Sequence, residues 1–207
     1  FLWPDTGPIW GMGTIRDLAP YADLHISHDN PKSDYHTNFI KEKNHLFLWS
    51  PINTNFFFLQ DKKDIDISFI GSARYGYRQQ FLDEFMKGVP IFTGGGQRES
   101  GLSAEEYASL IRRSRMSINF SESPAMFSQT KARVLEIISS GGLLFESANK
   151  STRKMFSPGI DYIEFSTYSD LIEKIRYYQS NKEEAGQIAL NGFNKFQEKY
   201  NGRVFWQ

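Results

Sequence analysis

The chain has 207 residues, 40% hydrophobic, 15% aromatic and 23% charged, which is ample material for a buried core and unlike the composition of a disordered protein. Lys+Arg and Asp+Glu balance at 24 each, so no broad positive field exists to hold nucleic acid or an anionic membrane, and any anion site is local. The absence of cysteine excludes a disulfide framework, a thiolate nucleophile and a Cys-bound metal; no apolar run reaches the roughly 20 residues that span a bilayer, and a soluble, cytoplasmic protein is expected.

The first 60 residues are broken by Pro4, Pro8, Pro20, Pro31 and Pro51 and hold only brief apolar runs, Ala22–Ser27 and His45–Trp49. They do not make a self-sufficient domain. Residues 1–50 read as the end of a preceding α/β lobe and 51–63 as the crossing into a second one. The chain opens on Phe1 and closes on Val204-Phe205-Trp206-Gln207 just after a helical pattern, as expected of a fragment cut at both ends. All four histidines, His25, His28, His36 and His45, lie in this first part, without the helical pairing with an acid that a zinc protease needs.

From residue 64 to about 180, short β-like runs alternate with helical patterns, the signature of βαβ units around a mainly parallel sheet. Asp66–Ile70 is a buried strand ending at Gly71, and Arg78–Lys87 a helix with Phe81, Leu82 and Phe85 on one face, stopped by Gly88. Val89–Thr93 is the second strand, running into Gly94-Gly95-Gly96. Ser103 with Glu106 forms a capping box that opens the helix Ala104–Arg113. Met116–Phe120 is the third strand, Thr130–Ser139 a helix ended by Gly141-Gly142, Leu143–Phe145 a fourth strand and Ile160–Phe165 a fifth. Ser169 is read as the cap of Asp170–Gln179, and Lys182–Tyr200 as one or two helices interrupted near Gly192.

In open parallel sheets ligands bind outside the carboxyl ends of the strands. After the first strand, Gly71-Ser72-Ala73-Arg74-Tyr75-Gly76-Tyr77-Arg78 places a small-residue turn and two arginines at a helix start. Backbone N–H groups and guanidinium forks there suit a phosphate; a tight turn with solvated arginines is the plainer alternative. The loop lacks the glycine pattern of a dinucleotide fold, and neither a Gly-x-Ser-x-Gly elbow nor a P-loop occurs. The glycine triplet reads as a mobile turn rather than a ligand contact.

Ser121–Gly142 is the richest stretch. Gln129, Arg133 and Glu136 stand at i, i+4 and i+7 and share one side of the helix, with Lys131 at its start, while Val134, Leu135, Ile137 and Ile138 supply the packing face. A carboxylate here can serve the helix dipole alone. An acid interrupting an apolar stripe also points to an inward-facing group that needs hydroxyl or cationic partners.

The segments DISFIGS, LSAEEYASLIRRSRMSINFSES, QTKARVLEIISSGGLLFES, DYIEFSTYSDLIEKIRYY and IALNGFNKF together resemble the GT-B glycosyltransferase superfamily, specifically the CgeB-like group of glycosyl transferase family 1 domains, over about residues 45 to 200. The resemblance implies a Rossmann-like, mainly parallel sheet flanked by helices as the C-terminal lobe of a GT-B fold, plus an incomplete N-terminal lobe. Residues 64–190 would hold a nucleoside-diphosphate sugar, and residues 191–207 a helix packing toward the first lobe. Glu136 would take the donor ribose; Lys131 and Arg133 would neutralise the leaving diphosphate, with Gly71, Ser72, Arg74 and Arg78 assisting from the first loop. Related retaining enzymes carry two glutamates eight positions apart. Here the earlier position is Ser128, which leaves open whether neighbouring Gln129 meets the sugar and whether the mechanism is retaining.

The implied function is transfer of a hexose-type sugar to a hydroxyl of a glycan, protein or small acceptor, by a fragment expected to be inactive alone. No cofactor is called for, and no Asp-x-Asp is read as a holder of Mg²⁺, so cationic side chains and helix starts are expected to serve instead. A non-catalytic nucleotide- or glycan-binding module and a flavodoxin-like regulatory domain are the rival readings.

Overall fold

The computed structural model describes residues 17, 19–21, 23–27, 45–71, 76–85, 92–94, 102–121 and 130–205. Two short strands near the start, β1 (His25–Ser27) and β2 (His45–Phe47), pair in parallel, and a 3-10 turn lies at Ala19–Tyr21. The main body is a five-stranded parallel sheet: β3 (Ile65–Ile70), β4 (Phe92–Gly94), β5 (Ser114–Asn119), β6 (Leu143–Ser147) and β7 (Ile163–Phe165), in the order β4-β3-β5-β6-β7. The chain moves outward from β3 to β4 and then returns past β3 to β5. That reversal falls between β3 and β5, and in doubly wound folds ligands sit outside the carboxyl ends of the strands at such a point.

Seven helices accompany the described strands: α1 (Gly76–Phe85), α2 (Ala104–Arg113), α3 (Ala132–Ser139), α4 (Lys150–Met155), α5 (Tyr168–Ser180), α6 (Lys182–Lys199) and α7 (Gly202–Phe205). Strand alternation divides the core in two. One face presents Ile67, Phe69, Met116, Ile118, Leu143, Phe145, Ile163 and Phe165, packed with Phe81 and Leu82 of α1 and with Leu171 and Ile175 of α5. The other joins Ile70 and Leu144 to Ala108 and Ile111 of α2 and to Val134, Leu135, Ile137 and Ile138 of α3. On that second face Ser68 and Ser117 meet hydroxyl to hydroxyl at 3.0 Å in the buried layer beneath the helices.

The capping box forms as expected: the Ser103 hydroxyl accepts from the Glu106 N–H at 3.2 Å and the Glu106 carboxylate accepts from the Ser103 N–H at 2.8 Å. Helix α3 starts at Ala132 rather than Thr130 and ends where Gly141 turns to φ +67°. The fourth strand runs two residues further than expected, through Glu146 and Ser147.

Two expectations are corrected, and one helix is new. Helix α5 is capped by Thr167, whose hydroxyl accepts from the Asp170 N–H at 3.2 Å, not by Ser169, which lies inside the helix. Residues Lys182–Lys199 form one uninterrupted helix, because Gly192 serves a close approach: a Cβ there would lie 2.4 Å from the Asp161 carbonyl oxygen. Helix α4 was not anticipated, since six mostly polar residues carry no apolar period; Asn149 caps it by accepting from the Ser151 N–H at 2.9 Å. Gly88, Gly95 and Gly96 lie outside the described residues.

The segment between residues 49 and 63 is tied down at both ends. Trp49 donates its indole N–H to the Tyr200 carbonyl at 3.2 Å and meets Tyr200 and Phe205 edge-on. Lys63 donates to the carbonyls of Arg112 (2.9 Å), Ser114 (3.2 Å) and Ser140 (2.8 Å), closing the ends of α2 and α3, and burial pulls its pKa down to about 8.

Candidate functional site

The last rung on the α3 side of the sheet is polar. Asn119 pairs in register with Glu146, and Glu146 with Glu164, so three adjacent strands end on hydrogen-bonding side chains directed to one face. Glu146 is fully buried. Its carboxylate accepts from Asn119 Nδ2 at 2.7 Å and from the Ser121 hydroxyl, while the Ser121 N–H is taken by the Ser147 hydroxyl at 2.9 Å. Burial lifts the Glu146 pKa to about 7, against the opposing pull of donors from Ser121, Asn119 and Asn149 and of the Arg133 charge.

Above this rung, α3 brings Arg133 to the carboxyl ends of β3 and β5. Its Nη1 donates to Asn119 Oδ1 at 3.4 Å and its Nε to the Tyr107 hydroxyl at 3.3 Å. The guanidinium covers the turn after β3: a Cβ on Gly71 would stand 2.8 Å from Nη1. Gly71 is therefore needed for the approach of a charged group.

Glu136, one turn beyond Arg133, accepts from the Tyr107 hydroxyl. Burial raises its pKa, partly offset by that hydroxyl and by Arg133. Burial likewise holds the Tyr107 phenol well above its ordinary value. The hydroxyl and cationic partners expected for Glu136 are thus Tyr107 and Arg133. One guanidinium stands between two carboxylates, reaching Glu136 through Tyr107 and Glu146 through Asn119.

Of the residues singled out in the sequence, Gly71, Arg133 and Glu136 come together here. Lys131 occupies the N-cap position of α3. Arg78 lies elsewhere: on α1, 6% exposed, it donates to the Phe120 carbonyl at 3.0 Å with its guanidinium 5.7 Å from the Phe120 ring, which ties α1 to the end of β5. Ser72, Arg74, Ser128 and Gln129 lie outside the described residues. Sequence reasoning missed Asn119, Ser121, Glu146 and Tyr107. The available signal was a buried apolar strand ending in a polar residue, as in MSIN and LLFES.

The Asp-x-Asp spacing does occur once, at Asp64-Ile65-Asp66, but at the amino end of β3, remote from the strand carboxyl ends. Asp64 is held there by Arg113 at 2.7 and 2.8 Å, and Asp66 accepts from Gln179 at 2.8 Å. A cavity of about 330 Å³ shares that end of the sheet, lined by Leu59, Asp66, Arg115, Met116, Tyr178 and Phe193 among others, and is separate from the Arg133 cluster. Among the described residues no group of three or more His, Asp or Glu is arranged to hold a metal ion, and no helix is long and apolar enough to cross a membrane.

Comparison with known proteins agrees with this architecture. Residues 55–204 match the family model described as glycosyl transferase-like, which covers more than half of the chain, and the chain belongs to that family. Among solved structures, the C-terminal domain of the glycosyl transferase group 1 protein LpcC from Francisella tularensis superimposes with TM-score 0.56 at 12% identity, over 73% of this chain and 99% of that domain. Sucrose-phosphate synthase from Thermosynechococcus elongatus gives TM-score 0.70 at 12% identity over 96% of this chain and 59% of its own length. HepE of Anabaena, in complex with UDP, gives 0.69 at 10% identity over 93% and 64%. This chain therefore spans about three fifths of the two longer proteins. No curated protein matches the sequence. At such identities the likeness establishes the fold, an α/β Rossmann-like lobe of the GT-B type.

Proposed function

We propose that this member of the glycosyl transferase-like family is the donor-binding lobe of a hexosyltransferase that uses a nucleoside-diphosphate sugar. In this reading residues 64–190 hold the donor, 1–50 belong to the acceptor-side lobe and 51–63 cross between them. The observation that carries it is the Arg133 guanidinium lying over Gly71 at the reversal point of the sheet, one helical turn from the partly buried carboxylate of Glu136. A cation beside an uncluttered glycine backbone suits a diphosphate, and a carboxylate one turn away suits the two hydroxyls of a ribose.

Transfer breaks the bond between the anomeric carbon and the diphosphate oxygen, forms one to the acceptor oxygen and removes that hydroxyl's proton. The diphosphate leaves with negative charge. Arg133 and Lys131, joined by the first-loop arginine Arg74 and backbone groups of Gly71 and Ser72, would stabilise that charge without an obligatory metal. Gln129 is assigned to the sugar, and Arg78 helps by fixing the end of β5. The CgeB-like group remains the proposed subfamily, with a glycan, a protein or a small molecule as acceptor.

Calorimetry with UDP, GDP and ADP tests the reading. One of them should bind, and Glu136→Ala should weaken that binding by about 1–3 kcal/mol, the scale of a charge-assisted hydrogen bond. Equal affinity in a folded variant removes the ribose assignment. If none of the nucleotides binds, an interaction domain is the better description.

A further inference from the structure

We propose that Glu146 is a positioning residue for the anion site: through Asn119 it fixes the direction in which Arg133 presents its guanidinium across Gly71. The ligand in this proposal rests on the donor-binding reading; the positioning of Arg133 does not.

An ionised carboxylate only accepts hydrogen bonds, whereas an amide has one donating and one accepting end. With Glu146 ionised and enclosed by Ser121 and Asn119, the Asn119 NH₂ must face it, and Oδ1 is left pointing at Arg133. The reversed amide would set oxygen against carboxylate and NH₂ against guanidinium, two repulsive contacts in a buried layer where such errors are costly. Arg133 is then held at two points, Asn119 Oδ1 and the Tyr107 hydroxyl, with Gly71 leaving room beneath. Protonated, Glu146 becomes a donor able to meet Asn119 Oδ1, the amide can turn, and its NH₂ confronts the guanidinium.

Other charged and titratable groups face Glu146 and Arg133, and the Glu146→Gln comparison separates their effect from that of Glu146. Arg133 approaches from α3; Tyr162 and Glu164 approach from the β7 side, with Glu164 neutralised by Arg153 of α4; Asn149 donates from the start of α4. Glu136 and Tyr107 bear on the other side of Arg133. Because burial moves the Glu146 pKa to about 7, the switch falls within a range where the protein can be handled. A direct repulsion between Glu146 and a bound diphosphate would act in the opposite sense, and the test separates the two.

The experiment follows the Arg133 Nε–H signal by NMR, assigned by its loss in Arg133→Lys, from pH 5.5 to 8 in the wild type and in Glu146→Gln. The same proteins are titrated with UDP-glucose, which lacks the secondary phosphate ionisation of a free diphosphate. The wild-type Arg133 signal should shift with a midpoint near 7, and that transition should be absent from Glu146→Gln. The variant should bind UDP-glucose about three- to tenfold more weakly at pH 8, the effect of losing preorganisation of one long side chain. Wild-type affinity should fall as the pH drops, and that of the variant should not. An Arg133 signal in the variant identical to the wild type at pH 8, or binding that is equal or tighter, overturns the proposal. Should the variant fail to fold, a wild-type signal that does not move between pH 5.5 and 8 overturns it alone. Failure of the wild type to bind UDP-glucose at any pH counts against the donor-binding reading, while the Arg133 signal still decides the positioning role.

Discussion

Replacing Glu146 by glutamine should make the ligand-free protein progressively more stable than the wild type as the pH rises. Glu146 is fully buried, and its pKa is lifted from 4.5 to about 7 by that burial. An acid raised in this way keeps its proton more tightly in the folded state, so its favourable contribution is complete below about pH 4.5 and is lost as the pH rises through 7. Going from 4.5 to about 7, at about 1.4 kcal/mol for each tenfold change in proton affinity, amounts to roughly 3–4 kcal/mol, a little of it already lost by pH 4.5. Glutamine does not titrate, and any mismatch between its amide and that of Asn119 is a constant offset. The stability difference between variant and wild type should therefore grow by about 3 kcal/mol from pH 4.5 to pH 8, whatever its value at either end. Urea denaturation of both proteins at half-unit intervals, with unchanged m-values, measures it. A difference that is flat with pH would show that Glu146 ionises as freely in the folded chain as in the unfolded one, and the account of the buried rung would fall.

Two glycine substitutions separate the site from the scaffold. Gly71→Ala places a methyl group 2.8 Å from Arg133 Nη1, the end of a flexible side chain that can move aside. Its melting temperature should stay near that of the wild type while UDP affinity drops about three- to tenfold, the scale of one displaced long side chain; unchanged affinity in calorimetry would remove Arg133 from the diphosphate. Gly192→Ala puts a methyl group 2.4 Å from the backbone oxygen of Asp161, which cannot step aside without moving the chain. It should lose about 1–3 kcal/mol in denaturant titration despite a helix-propensity gain of about 1 kcal/mol, and a stabilised variant would refute the close packing of α6 against residue 161.

The fold was legible wherever the determinant was local. A capping box needs only Ser103 and Glu106, and the apolar stripe of α3 needs only Val134, Leu135, Ile137 and Ile138, so both elements could be placed from residues within one or two turns. Gly192 shows the limit of such reading. A glycine in a helical pattern signals a break only if nothing else requires its bareness, and here the requirement comes from Asp161, 31 positions away in sequence. The cap of α5 failed for a related reason: Thr167 and Ser169 are both competent, and the choice rests on where the chain leaves β7.

The site divides along the same line. Arg133 and Glu136 lie one turn apart on a single helix, so an acid set into an apolar stripe was enough to mark them. Their partners arrive from other elements: Tyr107 from α2, Asn119 from β5 and, behind it, Glu146 from β6. Only the register that sets Asn119 beside Glu146 turns two strand-end residues into a pair, and register is a property of the assembled sheet. The outcome is a cation held between the buried carboxylate of Glu146 and the partly buried one of Glu136, each reached through a neutral intermediary, Asn119 or Tyr107. Any anion bound at Gly71 must therefore compete for a guanidinium that is already engaged. On the donor-binding reading, the affinity of the site then depends on the protonation of Glu146, which the anion does not touch.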